Sequence, residues 1–143
     1  MSIRRVSPSE AAALVANEGY VYVDVRSVPE FVGGHPAGAY NVPVANAGPG
    51  GMVPNADFVA VMQRHFAPDA RLVIGCLAGG RSARACAALE AAGFSQLVDQ
   101  RAGWGGAKDA FGRLSEAGWQ AEGLPSAAGP DETRGYDALL AAK

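Results

Sequence analysis

The sequence predicts an α/β fold with a mainly parallel central sheet and helices on both faces. Apolar runs typical of short buried strands occur at residues 21–25, 39–42, 71–75 and 96–99. Helical patterns separate most of these runs, and strands that alternate with helices favour a parallel sheet. The chain has 143 residues, of which 49% are hydrophobic, so it is long enough for one domain with a sizeable core.

The first helix has the clearest start signal in the chain. Ser7 stands at the N-cap position, Pro8 at the first helical position, and Glu10 completes a capping box. We expect this helix to run to about Asn17 and to end at Gly19. A single helical turn is expected at residues 28–31, just beyond the first strand.

Three more helices are expected after residue 55. One follows Asn55, where Phe58, Val59, Met62 and Phe66 recur at a spacing that places them on one face. The next spans residues 83–92, is rich in alanine and ends at Gly93. The last is expected at residues 107–117. In that helix Phe111 and Leu114 would face the core.

The remaining segments have compositions typical of loops. Residues 33–38 and 46–54 are rich in Gly, Pro and Asn and are expected to be irregular. We assign residues 1–123 to one domain and residues 124–143 to a C-terminal tail. The tail could be partly ordered, with a short helix at 136–142, or it could serve as a flap or a dimer contact.

Composition excludes several classes of function. A net charge of -2 does not suit a nucleic-acid-binding protein, and no apolar run approaches the length of a signal peptide or membrane span. The two cysteines, Cys76 and Cys86, do not suggest a disulfide, so we expect a reducing, cytoplasmic location. His35 and His65 show no metal-ligand spacing with them, and neither a metal nor a cofactor is indicated.

The segment that points to chemistry is the loop after the third apolar run. Cys76 ends this run, small residues follow, and Ser82 stands where we expect the cap of the alanine-rich helix. Such a loop can direct backbone N–H groups to one point, together with those of the first helical turn. We therefore expect Cys76 to lie in an anion-binding cradle beside Arg81, an environment that favours the thiolate.

The order of motifs resembles the single-domain rhodaneses, a family of sulfurtransferases. The first motif is Val23-Asp24-Val25-Arg26, followed by Glu30-Phe31 and by residues 34–39. The second is the loop from Cys76 to Ser82, and the third is Gly103-Trp104. These motifs occur in the order of that family and span about residues 1 to 119.

The resemblance implies a reaction and a set of residues for it. A thiolate at Cys76 would accept a sulfane sulfur from a small anionic donor such as thiosulfate, and the resulting persulfide would pass it to cyanide or a thiol, including a protein thiol. Arg81 would attract the donor, and Asp24 and Arg26 would support the loop or contact the donor. The loop residues of the site are Leu77, Ala78, Gly79, Gly80 and Ser82. A monomer or a weak homodimer is expected.

Other functions remain open at this point. Leu77 stands where thiosulfate-using members often carry a basic residue, which leaves the physiological donor undecided. Related phosphatases and arsenate reductases also use a loop between Cys and Arg, but theirs is one residue longer than residues 77–80. The shorter loop favours a single sulfur atom over a phosphoryl group. The remaining alternatives are a module that only binds partners and a carrier that shuttles persulfide between proteins.

Overall fold

A five-stranded sheet forms the centre of the computed structural model, which describes residues 3–142. All four pairings between its strands are parallel, as the sequence predicts. In spatial order the strands are β1 (Arg4–Val6), β8 (Gln96–Gln100), β7 (Arg71–Gly75), β2 (Val21–Asp24) and β4 (Tyr40–Asn41). The central strands β2 and β7 therefore end side by side, with Asp24 opposite Gly75.

Helices cover both faces of this sheet, which confirms the predicted fold class. They are α1 (Pro8–Asn17), α2 (Val28–Gly33), α3 (Phe58–His65), α4 (Gly80–Ala91) and α5 (Tyr136–Ala141). One face packs α1 and Phe31 of α2 against Tyr22, Val73 and Val98. The opposite face packs α3, α4 and α5 against alternate residues of the same strands, such as Leu72 and Ile74. Side chains that alternate between two buried faces explain the continuous apolar runs.

The helix start at Ser7 is confirmed. The Ser7 hydroxyl accepts a hydrogen bond from the Glu10 N–H at 3.1 Å, and the Glu10 carboxylate accepts one from the Ser7 N–H at 2.9 Å. Helix α3 begins at Phe58, with Asp57 as its N-cap, rather than directly after Asn55. The Asn55 side chain nevertheless accepts a hydrogen bond from the Asp57 N–H. Within α3, Phe58, Val61 and Met62 are the buried residues.

The predicted helix at residues 107–117 is wrong. The structure has a small antiparallel ladder there, formed by β9 (Ala107–Lys108) and β10 (Leu114–Glu116). The Asp109 side chain accepts hydrogen bonds from the N–H groups of Phe111 and Arg113 and stabilises the turn between the strands. Phe111, expected in the core, is 86% exposed, so an apolar spacing typical of a helix was misleading here.

Two segments expected to be irregular also form short strands. Within residues 46–54 lies most of the antiparallel hairpin β5 (Ala45–Gly48) and β6 (Gly51–Pro54). Within residues 33–38 lies β3 (His35–Pro36), which pairs with β11 (Ser126–Ala127). Each strand is stabilised by pairing with another strand, and the hydrophobic periodicity of a single segment does not reveal such a partner.

The C-terminal segment packs against the rest of the chain. The Pro125 carbonyl accepts hydrogen bonds from the Ala37 N–H and from the Trp119 indole, both at 2.9 Å. Leu139 of α5 is buried in the core cluster that includes Met62. Within residues 3–142, no helix combines the length and apolar character needed to cross a membrane.

Candidate active site

Cys76 directly follows β7, and the backbone of the next turn surrounds its sulfur. The Sγ atom accepts hydrogen bonds from the N–H of Gly79 at 3.1 Å and from the N–H of Ser82 at 3.3 Å. One donor belongs to the loop and the other to the first turn of α4. Both N–H groups carry partial positive charge toward the sulfur, so this arrangement stabilises a negative charge there.

The loop enters α4 through Gly79 rather than through Ser82. Gly79 is the N-cap of α4 and has a φ of 104°, a left-handed conformation that favours glycine. The expected N-cap role of Ser82 is therefore wrong. Its hydroxyl instead bonds to the Gly79 carbonyl at 3.1 Å and to Asp99 Oδ1 at 2.7 Å. These bonds fix the residue whose N–H group contacts the thiol.

A second loop holds the cysteine loop from the other side. The N–H groups of Trp104 and Gly105 donate to the carbonyls of Cys76 at 2.7 Å and Leu77 at 2.9 Å. Gly103, with a φ of 64°, lies so close that a β-carbon there would collide with these carbonyls. The Gly103-Trp104 motif is thus a backbone clamp on the cysteine loop.

Arg81 forms a bidentate ion pair with Glu30, a residue to which the sequence assigned no role in the site. Their two N–H···O distances are 2.6 and 2.9 Å. The hydrogen bonds from Arg81 lower the pKa of Glu30 to about 2, against the opposing effect of partial burial, and bonds from Ser27 add to the lowering. The same pair raises the pKa of Arg81. The sequence contained this signal in the Glu30-Phe31 motif, but 51 positions separate the partners.

A cavity of about 540 Å³ opens over Cys76. Its wall includes Arg81 and Arg84 from α4, Glu30 from α2 and Met52 from the β5–β6 hairpin. Leu77 and Ala78 also line it, and Leu77 is 41% exposed. The cavity thus combines a thiol, two guanidinium groups and one carboxylate with apolar walls.

Asp24 and Arg26 form a buried ion pair outside the lining of this cavity, and Asp24 lies opposite Gly75, the residue before Cys76. Arg26 bonds to both carboxylate oxygens of Asp24, with its shortest contact at 2.7 Å, and donates to the Gly34 carbonyl at 2.6 Å. The guanidinium also lies 5.3 Å from the centre of the Trp104 ring. Because Arg26 is only 3% exposed and its guanidinium is bonded to Asp24 and Gly34, this geometry supports a structural role rather than contact with a donor.

Two further residues with reactive side chains lie apart from the cradle. Cys86 is buried in α4, and desolvation raises the pKa of its thiol to about 12. The ring nitrogen Nδ1 of His35 lies 2.7 Å from the Phe31 carbonyl, and the ring stacks on Phe31 at 3.6 Å between centroids. Within residues 3–142, no group of three or more His, Cys, Asp or Glu side chains could hold a metal ion.

In this site a cysteine follows a parallel strand and lies in a loop of backbone N–H donors. Comparisons with known proteins show which family has this chain as a member. A model of the Rhodanese-like domain matches residues 7–110, and the chain belongs to this family. Thiosulfate sulfurtransferase 16, chloroplastic, from Arabidopsis thaliana is 38% identical over 125 residues, which cover 85% of this chain and 94% of the relative. Two other plant relatives match at the same identity, but the chain spans only 53% of their length.

A bacterial relative and a solved structure are also similar to this chain over most of its length. Thiosulfate sulfurtransferase GlpE from Pseudomonas fluorescens is 32% identical over 101 residues, which cover 71% of this chain and 81% of the relative. The crystal structure of Rv0390 from M. tuberculosis aligns with a TM-score of 0.73 and 27% identity. That alignment covers 90% of this chain and all of the other chain, so the likeness extends beyond the residues of the family model.

Proposed function

We propose that the protein is a sulfurtransferase that carries a sulfane sulfur as a persulfide on Cys76. The observation that carries this proposal is the position of the Cys76 sulfur, which accepts two backbone N–H bonds at the floor of a cavity lined by Arg81. The names of the plant and bacterial relatives agree with this activity.

The proposed reaction has two displacements at sulfur. The Cys76 thiolate attacks the outer sulfur of thiosulfate, the S–S bond of the donor breaks, and sulfite leaves with the bonding electron pair. The acceptor, cyanide or a thiolate, then attacks the outer sulfur of the persulfide. That S–S bond breaks, the thiolate of Cys76 is restored, and thiocyanate or a new persulfide leaves.

The surrounding groups have distinct parts in this scheme. The Gly79 and Ser82 N–H groups stabilise negative charge on the Cys76 sulfur before attack and after release. A guanidinium has five N–H donors, so Arg81 can hold donor oxygens while two of its donors bond to Glu30. Asp24 and Arg26 would support the end of β2, which lies beside the end of β7 where Cys76 follows.

The experiment is steady-state formation of thiocyanate from thiosulfate and cyanide. We expect turnover by the wild type, loss of turnover in Cys76→Ser, and unchanged turnover in Cys86→Ser, which is the matched control. Activity that survives in Cys76→Ser would contradict the proposal. An aryl phosphate assayed in parallel should show no cysteine-dependent hydrolysis, because the loop between Cys76 and Arg81 is short for a phosphoryl group.

The same assay can distinguish the enzyme from the carrier and binding alternatives. A module that only binds partners would not form a persulfide, whereas a carrier would form one and transfer it only to a protein thiol. Comparing transfer to cyanide, glutathione and protein thiols therefore identifies the acceptor. A cytoplasmic location and a monomeric or weakly dimeric state stay predictions, and the Arabidopsis relative is named as chloroplastic.

A further inference from the structure

Arg84 is the charged residue of the cavity wall whose charge has no counterion there. Glu30, Arg81 and Arg84 are the charged side chains of its wall, one carboxylate against two guanidinium groups. The negative charge of Glu30 compensates that of Arg81, to which it is joined by two short hydrogen bonds. One positive charge is left uncompensated. Among residues 3–142, no salt bridge involves Arg84, so that charge belongs to Arg84.

Arg84 lines the same cavity as Cys76. Arg84 is three residues after Arg81, which places both side chains on the same face of α4. Its side chain is exposed, whereas that of Arg81 is 13% exposed. A molecule in the cavity that contains Cys76 therefore meets an exposed, unpaired cation on the cavity wall.

The space beside Arg84 suits a substrate with a carbon skeleton. A second cavity, of about 260 Å³, shares Met52 and Arg84 with the first and is otherwise lined by Val44, Ala45 and Pro54. Together the two cavities fall within the range of small-molecule sites, roughly 300–1,000 Å³. Thiosulfate has no apolar part to place against Met52 or Pro54, but an organic thiol or persulfide has one.

We propose that Arg84 selects the charge of the substrate, so that the Cys76 thiolate preferentially takes sulfur from anionic organic persulfides and the Cys76 persulfide preferentially passes it to anionic organic thiols. The carboxylate or sulfonate of the substrate would pair with Arg84, and its carbon chain would lie against Met52. The sulfur would then face the Cys76 sulfur. The inference deepens the proposed sulfur transfer and in that respect rests on it, but the charge selectivity can be measured without any transfer.

The first test uses two alkylating reagents that differ in charge. Iodoacetate is anionic and iodoacetamide is neutral, and both react with the Cys76 thiolate in the same way. Their rate ratio therefore cancels any change in the thiolate fraction. We expect Arg84→Gln to lower the iodoacetate-to-iodoacetamide ratio by about three- to tenfold, the size expected for one partly screened charge. High salt should reduce this difference.

Two further variants make this test specific. Arg84→Lys keeps the charge and should retain most of the ratio. Arg64→Gln removes an equal charge from an exposed position on α3 that lines neither cavity, and should leave the ratio unchanged. A ratio that is the same in the wild type and in Arg84→Gln, or one that falls equally in Arg64→Gln, would overturn the inference.

The second test measures transfer from the loaded persulfide to two acceptors of similar size, 2-mercaptoethanesulfonate and 2-mercaptoethanol. Arg84→Gln should slow transfer to the sulfonate relative to the alcohol by a similar factor. If Cys76 never loads sulfur but its alkylation ratio depends on Arg84, the proposed function fails and the charge selection stands. If sulfur is loaded and neither ratio depends on Arg84, the charge selection fails alone.

Discussion

Glu30 and Arg81 join α2 to the first turn of α4 through two parallel hydrogen bonds of 2.6 and 2.9 Å. Glu30 is itself held by the N–H and hydroxyl of Ser27, at 3.2 and 2.8 Å. The pair therefore connects the segment after β2 with the loop after β7. It fixes the orientation of Arg81 beside the thiol while it neutralises most of the charge of that guanidinium.

This pair should make stability depend on pH in a defined window. The pKa of Glu30 is lowered from 4.5 to about 2 in the folded protein, mainly by hydrogen bonds from Arg81. The stabilisation is therefore fully present above pH 4.5 and is lost as the pH falls toward 2. Because the pair is partly exposed, we expect it to contribute about 1–2 kcal/mol near neutral pH.

The measurement is the free energy of unfolding of the wild type and of Glu30→Gln between pH 7 and 2. The difference between them should be largest at neutral pH and should nearly vanish at the acidic end. Glu132→Gln, at an exposed position in the C-terminal segment, is the control. A difference between the wild type and Glu30→Gln that stays constant over this range would contradict the assigned ion pair.

Ser82→Ala tests whether the hydrogen bond from Ser82 to Asp99 stabilises the loop around the Cys76 sulfur. The substitution removes the bond between the Ser82 hydroxyl and Asp99 and leaves a buried carboxylate with one partner fewer. We expect a loss of about 1–3 kcal/mol in denaturant-induced unfolding. Alkylation of Cys76 should also slow, because the Ser82 N–H is held less firmly toward the sulfur. Ser95→Ala, which removes an exposed hydroxyl that bonds to the Pro68 carbonyl, should change neither quantity.

Gly103→Ala tests the clamp on the cysteine loop. A β-carbon there collides with the carbonyls of Cys76 and Leu77, and the φ of 64° disfavours any side chain. We expect a loss of about 2 kcal/mol or more and slower reaction at Cys76. Gly33→Ala adds the same methyl group where no neighbour lies within 4 Å, so a similar loss in both variants would contradict the clamp.

The two thiols should differ strongly in reactivity. Burial raises the pKa of Cys86 to about 12, whereas the Cys76 sulfur accepts two N–H bonds at a cavity floor. At mildly acidic pH, iodoacetamide should label Cys76 much faster than Cys86, as peptide mass mapping over time can show. Cys86→Ser should leave the fast phase intact and Cys76→Ser should remove it. Equal rates at both sites would argue against the thiolate cradle.

Those parts of the fold that have local causes could be predicted from the sequence. The capping box at Ser7 and the buried runs of β2, β7 and β8 depend on neighbours within a few residues. Strand β1 was not predicted because three residues carry too little pattern, and its pairing with β8 depends on a partner more than ninety positions away. The helix predicted at 107–117 failed because the turn at Asp109 outweighs the helical spacing of Phe111 and Leu114.

In the site, too, the features with local causes were predicted and the contacts between distant residues were not. The loop from Cys76 to Arg81 is contiguous, so the sequence places its thiol and its backbone donors together. The Glu30–Arg81 pair and the clamp from Gly103 require the tertiary fold and were not predicted as contacts. Ser82 was predicted to belong to the loop and to cap the helix. Because the helix begins earlier, at Gly80, the Ser82 hydroxyl bonds to Asp99 and does not cap the helix.

The most direct test of the central claim is the mass of the intact protein after treatment with thiosulfate and removal of excess reagent. We expect a gain of one sulfur atom per chain, located on Cys76 by peptide mapping and lost on addition of cyanide. The gain should persist in Cys86→Ser and disappear in Cys76→Ser. No gain with thiosulfate or with an organic persulfide, or a gain located on Cys86, would contradict a sulfurtransferase that works through Cys76.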